Sequence, residues 1–156
     1  MKYRVLSDEE LKVFEEDFKH FLIVNGVHAE EWEDMNKSNP EKAVALVELF
    51  SDTVLQKVYE KLKYIEHRSA ESCLVFKLKE DVIELISINT KHGATIDLSS
   101  PESIHEALVN NIDQLTLFKT QKAYSKGREL EIHDMIEKGC VHSDESFWNA
   151  LEASVY

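Results

Sequence analysis

The chain has 156 residues, of which 43% are hydrophobic and 31% are charged. It contains 18 Lys and Arg and 30 Asp and Glu, which gives a formal net charge of −12. This length and balance are typical of a single soluble globular domain spanning 1–156, not of a disordered chain. The negative charge repels phosphate backbones and anionic lipid headgroups, which argues against nucleic-acid and membrane partners and favours a basic protein partner.

Two features of the sequence predict a cytoplasmic location. The N-terminal segment MKYRVLSDEELKVF has no apolar signal-peptide core, and no apolar run approaches the ~20 residues that span a bilayer. The two cysteines, Cys73 and Cys140, are too few for a disulfide framework. We therefore expect both thiols to be reduced.

The N-terminal part of the chain is predicted to begin with a long amphipathic helix. Ser7–Glu10 has the pattern of a capping box, in which Ser7 and Glu10 each bond the other's backbone amide. The helix should run from Asp8 to near Asn25, just before Gly26. Its apolar stripe at helical spacing comprises Leu11, Phe14, Phe18, Phe21 and Leu22.

Two further helices are predicted before residue 63. A short one lies in AEEWEDMNK and is anchored by Trp32 and Met35. The longest covers about 40–62, because Asn39 is a favourable N-cap and Pro40 is favourable at the first helical position. The predicted main stripe of this helix comprises Ala43, Val47, Phe50, Val54, Val58 and Leu62.

The remainder of the chain predicts strands followed by mixed elements. Residues 63–90 and 115–121 are rich in β-branched and aromatic residues with period-two stretches, which indicates three or four antiparallel strands. Helices are expected over 101–112, 126–138 and 144–153. Because the helices cluster before the strands, we expect an α+β fold in which a small antiparallel sheet packs against the long central helix.

Several catalytic and nucleotide-binding signatures are absent from the sequence. The four glycines, Gly26, Gly93, Gly127 and Gly139, do not have the spacing of a dinucleotide turn or a phosphate-binding loop. There is no Gly-x-Ser-x-Gly elbow and no His-Glu-x-x-His motif. On these grounds no cofactor is predicted. The absence of these signatures also favours a protein that is not an enzyme.

The segment EIHDMIEKGCVH, residues 131–142, has the side chains of a possible metal site. On a helix, Glu129, His133 and Glu137 form one column, and Cys140 and His142 follow past the helix end. Imidazole, thiolate and carboxylate are all zinc ligands, so these five residues define a candidate zinc site.

The same segment also fits a joint between two helices. Gly139 suits the left-handed residue that ends a helix, with Cys140 and Met135 in the two positions that contact each other in a Schellman cap. Ser143 would then cap the last helix. The spacing matches no structural zinc motif, so this interpretation is favoured over the metal site.

The stretch YIEHRS, residues 64–69, is a second candidate site. On a strand, Tyr64, Glu66 and Arg68 share one face and His67 lies on the other. A Glu–Arg pair beside a tyrosine could bind a polar ligand, and His67 could act as an acid or base. The alternative is a half-exposed strand with cross-strand ion pairs.

The chain as a whole resembles a family of short bacterial proteins that is classified as a domain of unknown function. Three stretches carry the resemblance: MKYRVLSDEEL, FSDTVLQKVYEKLKYIEHRS and KAYSKGRELEIHDMIEKG. It implies one domain, a bacterial source and a cytosolic location, and it supplies no activity and no site residues.

Three functions from different classes follow from these observations. The leading hypothesis is a non-enzymatic, acidic interaction module, such as an adaptor or an inhibitor of a basic partner. The second is a metal-binding or metal-dependent enzyme domain that uses His133, Cys140 and His142. The third is a small-molecule pocket near Tyr64, Glu66 and Arg68.

Overall fold

The computed structural model describes residues 1–155, in which seven α-helices, one short 3-10 turn and five strands form an α+β fold. The helices are α1 (Asp8–Val13), α2 (Glu15–Val24), α3 (Ala29–Ser38), α4 (Pro40–Lys61), α5 (Pro101–Asn110), α6 (Arg128–Glu137) and α7 (Glu145–Ser154). The strands are β1 (Tyr64–Arg68), β2 (Ser72–Leu78), β3 (Val82–Thr90), β4 (Leu115–Ala123) and β5 (Val141–His142). The predicted fold class is therefore confirmed.

The five strands form one antiparallel sheet in the order β4-β3-β2-β1-β5. The prediction of three or four strands missed β5, because two residues are too short to show a period. Within residues 1–155, no helix is long and apolar enough to cross a membrane.

The chain divides into two compact units, one covering Met1–Glu60 and the other starting at Lys61. The first unit holds α1 to α3 and nearly all of α4, and the second holds the sheet with α5 to α7. The single-domain organisation expected from the chain length stays a prediction.

The predicted first helix is broken at Phe14. The Ser7–Glu10 capping box is confirmed, with the Glu10 amide donating to Ser7 Oγ (3.2 Å) and the Ser7 amide donating to Glu10 Oε1 (2.9 Å). A continuous helix to Asn25 is wrong, because Phe14 leaves helical geometry at φ −100° and ψ 21°. A new helix start at Glu15 places a second acidic cluster at the positive end of a helix dipole.

An aromatic cluster around the buried Phe50 forms part of the core of the first unit. The ring centroid of Phe18 lies 5.3 Å from that of Trp32 and 5.0 Å from that of Phe50, and Phe21 is 5.3 Å from Phe50. The aromatic stripe predicted for the N-terminal helices therefore supplies this core, at spacings typical of favourable aromatic pairs.

The buried face of α4 differs from the predicted stripe in its C-terminal half. Leu55 and Tyr59 are buried, whereas Val58, predicted to be in the stripe, is 43% exposed. The N-terminal segment explains the shift: the amides of Lys2 and Tyr3 donate to the Asp52 carboxylate, and the Tyr3 ring lies 5.1 Å from that of Tyr59. Tyr59, which the segment contacts, is 2% exposed, and helical periodicity does not reveal such a contact.

One face of the sheet carries the core of the second unit. Cross-strand partners Cys73 and Ile88, and Val75 and Ile86, are completely buried on this face. They pack in one cluster with residues of α5 and α7, including Trp148. The two helices therefore lie over the face to which Tyr64, Glu66 and Arg68 belong, since the register pairs these residues with Lys77, Val75 and Cys73.

The Glu10 carboxylate makes the stability of the protein depend on pH. Arg4 binds it through two hydrogen bonds (2.7 and 2.9 Å). These bonds, followed by the Ser7 amide, lower the Glu10 pKa from 4.5 to about 2. Because the folded pKa is lowered, this contribution is complete above pH 4.5 and is lost as the pH falls toward 2. We expect the stability difference between wild type and Glu10→Gln to shrink over that range in urea unfolding.

The neighbouring variant Glu9→Gln is the control, since Glu9 is exposed in the same helical turn. Its stability difference from wild type should vary less with pH. A Glu10→Gln difference that stays constant from neutral pH to pH 2 would contradict the assignment.

Candidate functional site

A cavity of about 210 Å³ lies between β1, α5 and α7 in the second unit. Its walls come from two helices whose lining residues recur at helical spacing. On α5 they are Pro101, His105 and Leu108, and on α7 they are Phe147 and Ala150, preceded by the N-cap residue Asp144. The walls combine apolar surface with a histidine and a carboxylate.

The charged lining of the cavity comes from β1. Glu66 and Arg68 are two residues apart on a strand, so their side chains point to the same face of the sheet. Glu66 Oε2 and Arg68 Nε form an ion pair, with side-chain exposures of 4% for Glu66 and 22% for Arg68. The acid is thus withdrawn from water, whereas the guanidinium is only partly buried.

A second contact orients Arg68. The Cζ atom of its guanidinium lies 5.8 Å from the centroid of the Phe147 ring, within the range of a cation–π interaction. Glu66 and Phe147 therefore hold the guanidinium from the strand and from α7. A charged group held in this way loses less conformational entropy on binding a ligand.

Beneath this pair, Cys73 contributes a neutral side chain. Cys73 is the cross-strand partner of Arg68 and is completely buried. Burial, followed by the nearby Glu66 charge, raises the pKa of the Cys73 thiol to about 12. The thiol therefore stays protonated near neutral pH, and it adds no negative charge beside Glu66.

Two helix N-termini contribute to the electrostatics of the cavity. Pro101 is the first residue of α5, after the N-cap Ser100, and Asp144 is the N-cap of α7. Both ends carry the positive pole of a helix dipole. Together with Arg68 they attract an anionic group, whereas the Asp144 and Glu66 carboxylates repel one.

The structure separates the residues predicted as one site around β1. Glu66 and Arg68 line the cavity. Tyr64 packs against the core instead, with its ring centroid 6.2 Å from that of Trp148, and burial raises its pKa. His67 is exposed and lies beside Gly139, on the opposite face of the sheet.

The residues of the candidate zinc site are also dispersed. Within residues 1–155, no group of three or more His, Cys, Asp or Glu side chains lies close enough together to hold a metal ion. His133 is buried on α6, while His142 is exposed on β5. Glu129 lies 3.6 Å from Arg128 in an ion pair, Glu137 is exposed and Cys140 is buried.

The alternative interpretation of this segment, a Schellman cap, is confirmed by its hydrogen bonds. Gly139 has φ +109°, its amide donates to Ile136 O (3.0 Å), and the Cys140 amide donates to Met135 O (3.1 Å). The cap leads directly into β5, in which His142 pairs with Ile65 of β1.

The predicted cap of the last helix is one residue off. Asp144, not Ser143, caps α7, through a bond from the Phe147 amide to Asp144 Oδ1 (2.7 Å). The Ser143 amide instead donates to Tyr64 O (3.0 Å), which extends the contact between β5 and β1. This contact places the residue before the α7 N-cap beside the first residue of β1.

The helical walls of the cavity were missed by sequence reasoning. The spacing of Pro101, His105 and Leu108 was visible in the sequence, as was that of Asp144, Phe147 and Ala150. It marks a common face on each helix, but it does not show that both faces adjoin β1. That information lies in the pairing of β5 with β1.

Removal of one partner from the Glu66–Arg68 pair should be more harmful than removal of both. Arg68→Met leaves a buried carboxylate without its cation, a change that typically costs about 3–5 kcal/mol for a fully buried pair and less here because Arg68 is partly exposed. The double variant Glu66→Gln/Arg68→Met should recover part of the loss. Urea unfolding of the two single variants and the double variant measures the coupling, and purely additive effects would contradict it.

The chain matches the family of unknown function DUF6495 over residues 1–156, and it therefore belongs to that family. No curated protein and no solved structure matches it significantly.

Proposed function

We propose that the protein binds a small carboxylate with a short apolar or single-ring body in the cavity between β1, α5 and α7. The observation that supports this best is the position of Arg68, which lines the cavity while Glu66 and Phe147 hold its guanidinium. Of the three functions considered from the sequence, this one has a matching concave site.

The guanidinium of Arg68 suits a carboxylate ligand. Its planar set of N–H donors can bind two carboxylate oxygens at once, and such charge-assisted bonds are stronger than neutral ones. Glu66 engages the Nε side of the group. The dipoles of α5 and α7 add to the attraction of an anion, because the N-terminal turns of both helices border the cavity.

The apolar part of the lining suits a compact hydrophobic body. Leu108, Phe147 and Ala150 offer aliphatic and aromatic surface next to the charged floor. The volume of about 210 Å³ is smaller than the ~300–1,000 Å³ that holds drug-sized ligands. A single ring or a short chain is therefore the expected size.

Benzoate is a suitable probe of this proposal, with benzylamine as its cationic counterpart. Benzoate should shift the backbone amide resonances of α5 and α7 in two-dimensional NMR, and benzylamine should shift them much less. Ala150→Leu should weaken the benzoate response, because the larger side chain occupies part of the cavity while the Glu66–Arg68 pair stays intact.

Ala153→Leu is the matched control, since Ala153 is also exposed on α7 and does not line the cavity. It should bind benzoate like wild type. Equal responses to benzoate and benzylamine, or equal loss in both alanine variants, would refute the proposal.

A second candidate, the binding of a basic protein partner, is favoured by the charge of the first unit. Residues 1–60 contain 14 Asp and Glu against seven Lys and Arg. Val13, Ile23 and Val24 on α1 and α2 are exposed and could supply apolar contacts within that acidic surface. An adaptor or an inhibitor of a basic protein would use both features.

Such a partner should bind in a salt-dependent way. In a pull-down with the purified protein, the amount of partner that is captured should fall steeply as salt rises from about 0.01 to 0.15 M. Over that range the Debye length falls from roughly 30 to 8 Å. A variant with Gln at Glu30, Glu31 and Glu33 should capture less, while Gln at Glu80, Glu102 and Glu106 in the second unit should not matter. Salt-insensitive capture, or equal loss in both variants, would exclude this candidate.

We further propose that the protein is cytoplasmic and does not bind nucleic acid. The acidic composition and two free cysteines fit a cytoplasmic protein. The same net charge of −12 disfavours nucleic acid as a partner.

A further inference from the structure

Strand β4 is a long open edge of the sheet. The sheet ends in the two-residue β5 on one side and in the nine-residue β4 on the other. Within residues 1–155, the Leu115 amide donates to Ile112 O at the start of β4, and no other backbone group outside β3 bonds to the strand. Outward-facing N–H and C=O groups on such an edge can pair with another strand, and proteins usually shorten, cover or interrupt edges of this length.

The side chains of β4 also leave apolar surface exposed at this edge. Phe118 is 56% exposed near the centre of the strand, and Thr116 and Thr120 beside it on the same face are exposed. β-branched and aromatic side chains stabilise antiparallel pairs when they meet across strands. The edge therefore has both the backbone and the side chains of an interior strand.

The lysines of β4 are neutralised within the chain. Lys119 Nζ lies 3.4 Å from a Glu152 oxygen and 3.8 Å from a Glu84 oxygen, and Lys122 Nζ lies 3.6 Å from a Glu131 oxygen. Lysine normally protects an edge strand by repelling a second copy of itself. Here that repulsion is reduced, because each lysine already has a carboxylate partner.

We infer that β4 pairs with β4 of a second copy of this chain, antiparallel and about a two-fold axis through Phe118. The axis places the two Phe118 side chains opposite each other and places Thr116 opposite Thr120 of the second copy. Lys119 then faces Leu117, and like charges are not opposed. An axis through Lys119 would oppose two lysines directly, which is unfavourable.

The two copies together form a continuous ten-stranded sheet, in which Phe118 loses part of its contact with water. A two-fold, self-complementary contact of this kind closes on itself and gives a dimer, not a filament. Because each chain carries a net charge of −12, long-range repulsion opposes the contact and salt weakens that repulsion. The dimer should therefore tighten as salt rises, opposite to the binding of a basic partner.

Single cysteine variants test the pairing and its register. In Phe118→Cys, the two-fold axis brings the new thiols together at the ~4.5–5.5 Å Cα separation of antiparallel partners, which a disulfide spans. Mild oxidation should convert most of this variant to a covalent dimer. Thr116→Cys and Thr120→Cys should not cross-link, because in each of these variants the new thiols of the two chains lie about 13 Å apart along the strands. The double variant Thr116→Cys/Thr120→Cys should cross-link.

Cys73 and Cys140 are buried, so wild type should give no cross-linked product and serves as the blank. In sedimentation equilibrium, wild type should be a dimer that dissociates on dilution, and Phe118→Lys should be a monomer with unchanged circular dichroism. A monomeric wild type would overturn the inference, as would equal cross-linking of the three single variants. The ligand cavity contains no β4 residue, so either result leaves the benzoate test independent.

Discussion

The pairing of β1 along both of its edges is the constraint on which the second unit depends. With β2 on one side and β5 on the other, β1 is an interior strand, and its side chains must alternate between the two faces of the sheet. Glu66 and Arg68 face α5 and α7, whereas Ile65 and His67 face the other way. A one-residue shift of register would exchange these sets and would remove both charges from the cavity.

The position of β1 beside α5 and α7 explains the role of the buried Glu66–Arg68 ion pair. Burial of a carboxylate is costly, and a pair such as Glu66–Arg68 contributes little net stability compared with apolar residues of the same size. Its consequence is orientation: the guanidinium is held between the strand and Phe147, at the border of two helix N-termini. The neutral Cys73 thiol below it adds no charge, so these few groups set the electrostatic potential around the guanidinium. A structural feature that is expensive for stability is thereby suited to recognition.

Charge is distributed unevenly along the chain, and this distribution separates the possible contact surfaces. The first unit has twice as many acidic as basic residues, whereas residues 61–156 hold 11 Lys and Arg against 16 Asp and Glu. In the second unit, Lys119 and Lys122 on β4 have carboxylate partners in the same chain. Long-range attraction of cations is therefore strongest at the first unit, while a contact at the open edge of the sheet would depend on backbone and apolar contacts.

The sequence by itself determined the local structure, because short-range hydrogen bonds depend on neighbouring residues. The Ser7–Glu10 capping box, the helix start at Pro40 and the cap at Gly139 were readable for this reason, as were the strands over 63–90 and the shared face of Glu66 and Arg68. Only the tertiary structure decided which distant segments meet. The pairing of Ile65 with His142, the cover that the N-terminal segment places over α4 and the helices around Arg68 join residues tens of positions apart, and no local pattern encodes such contacts.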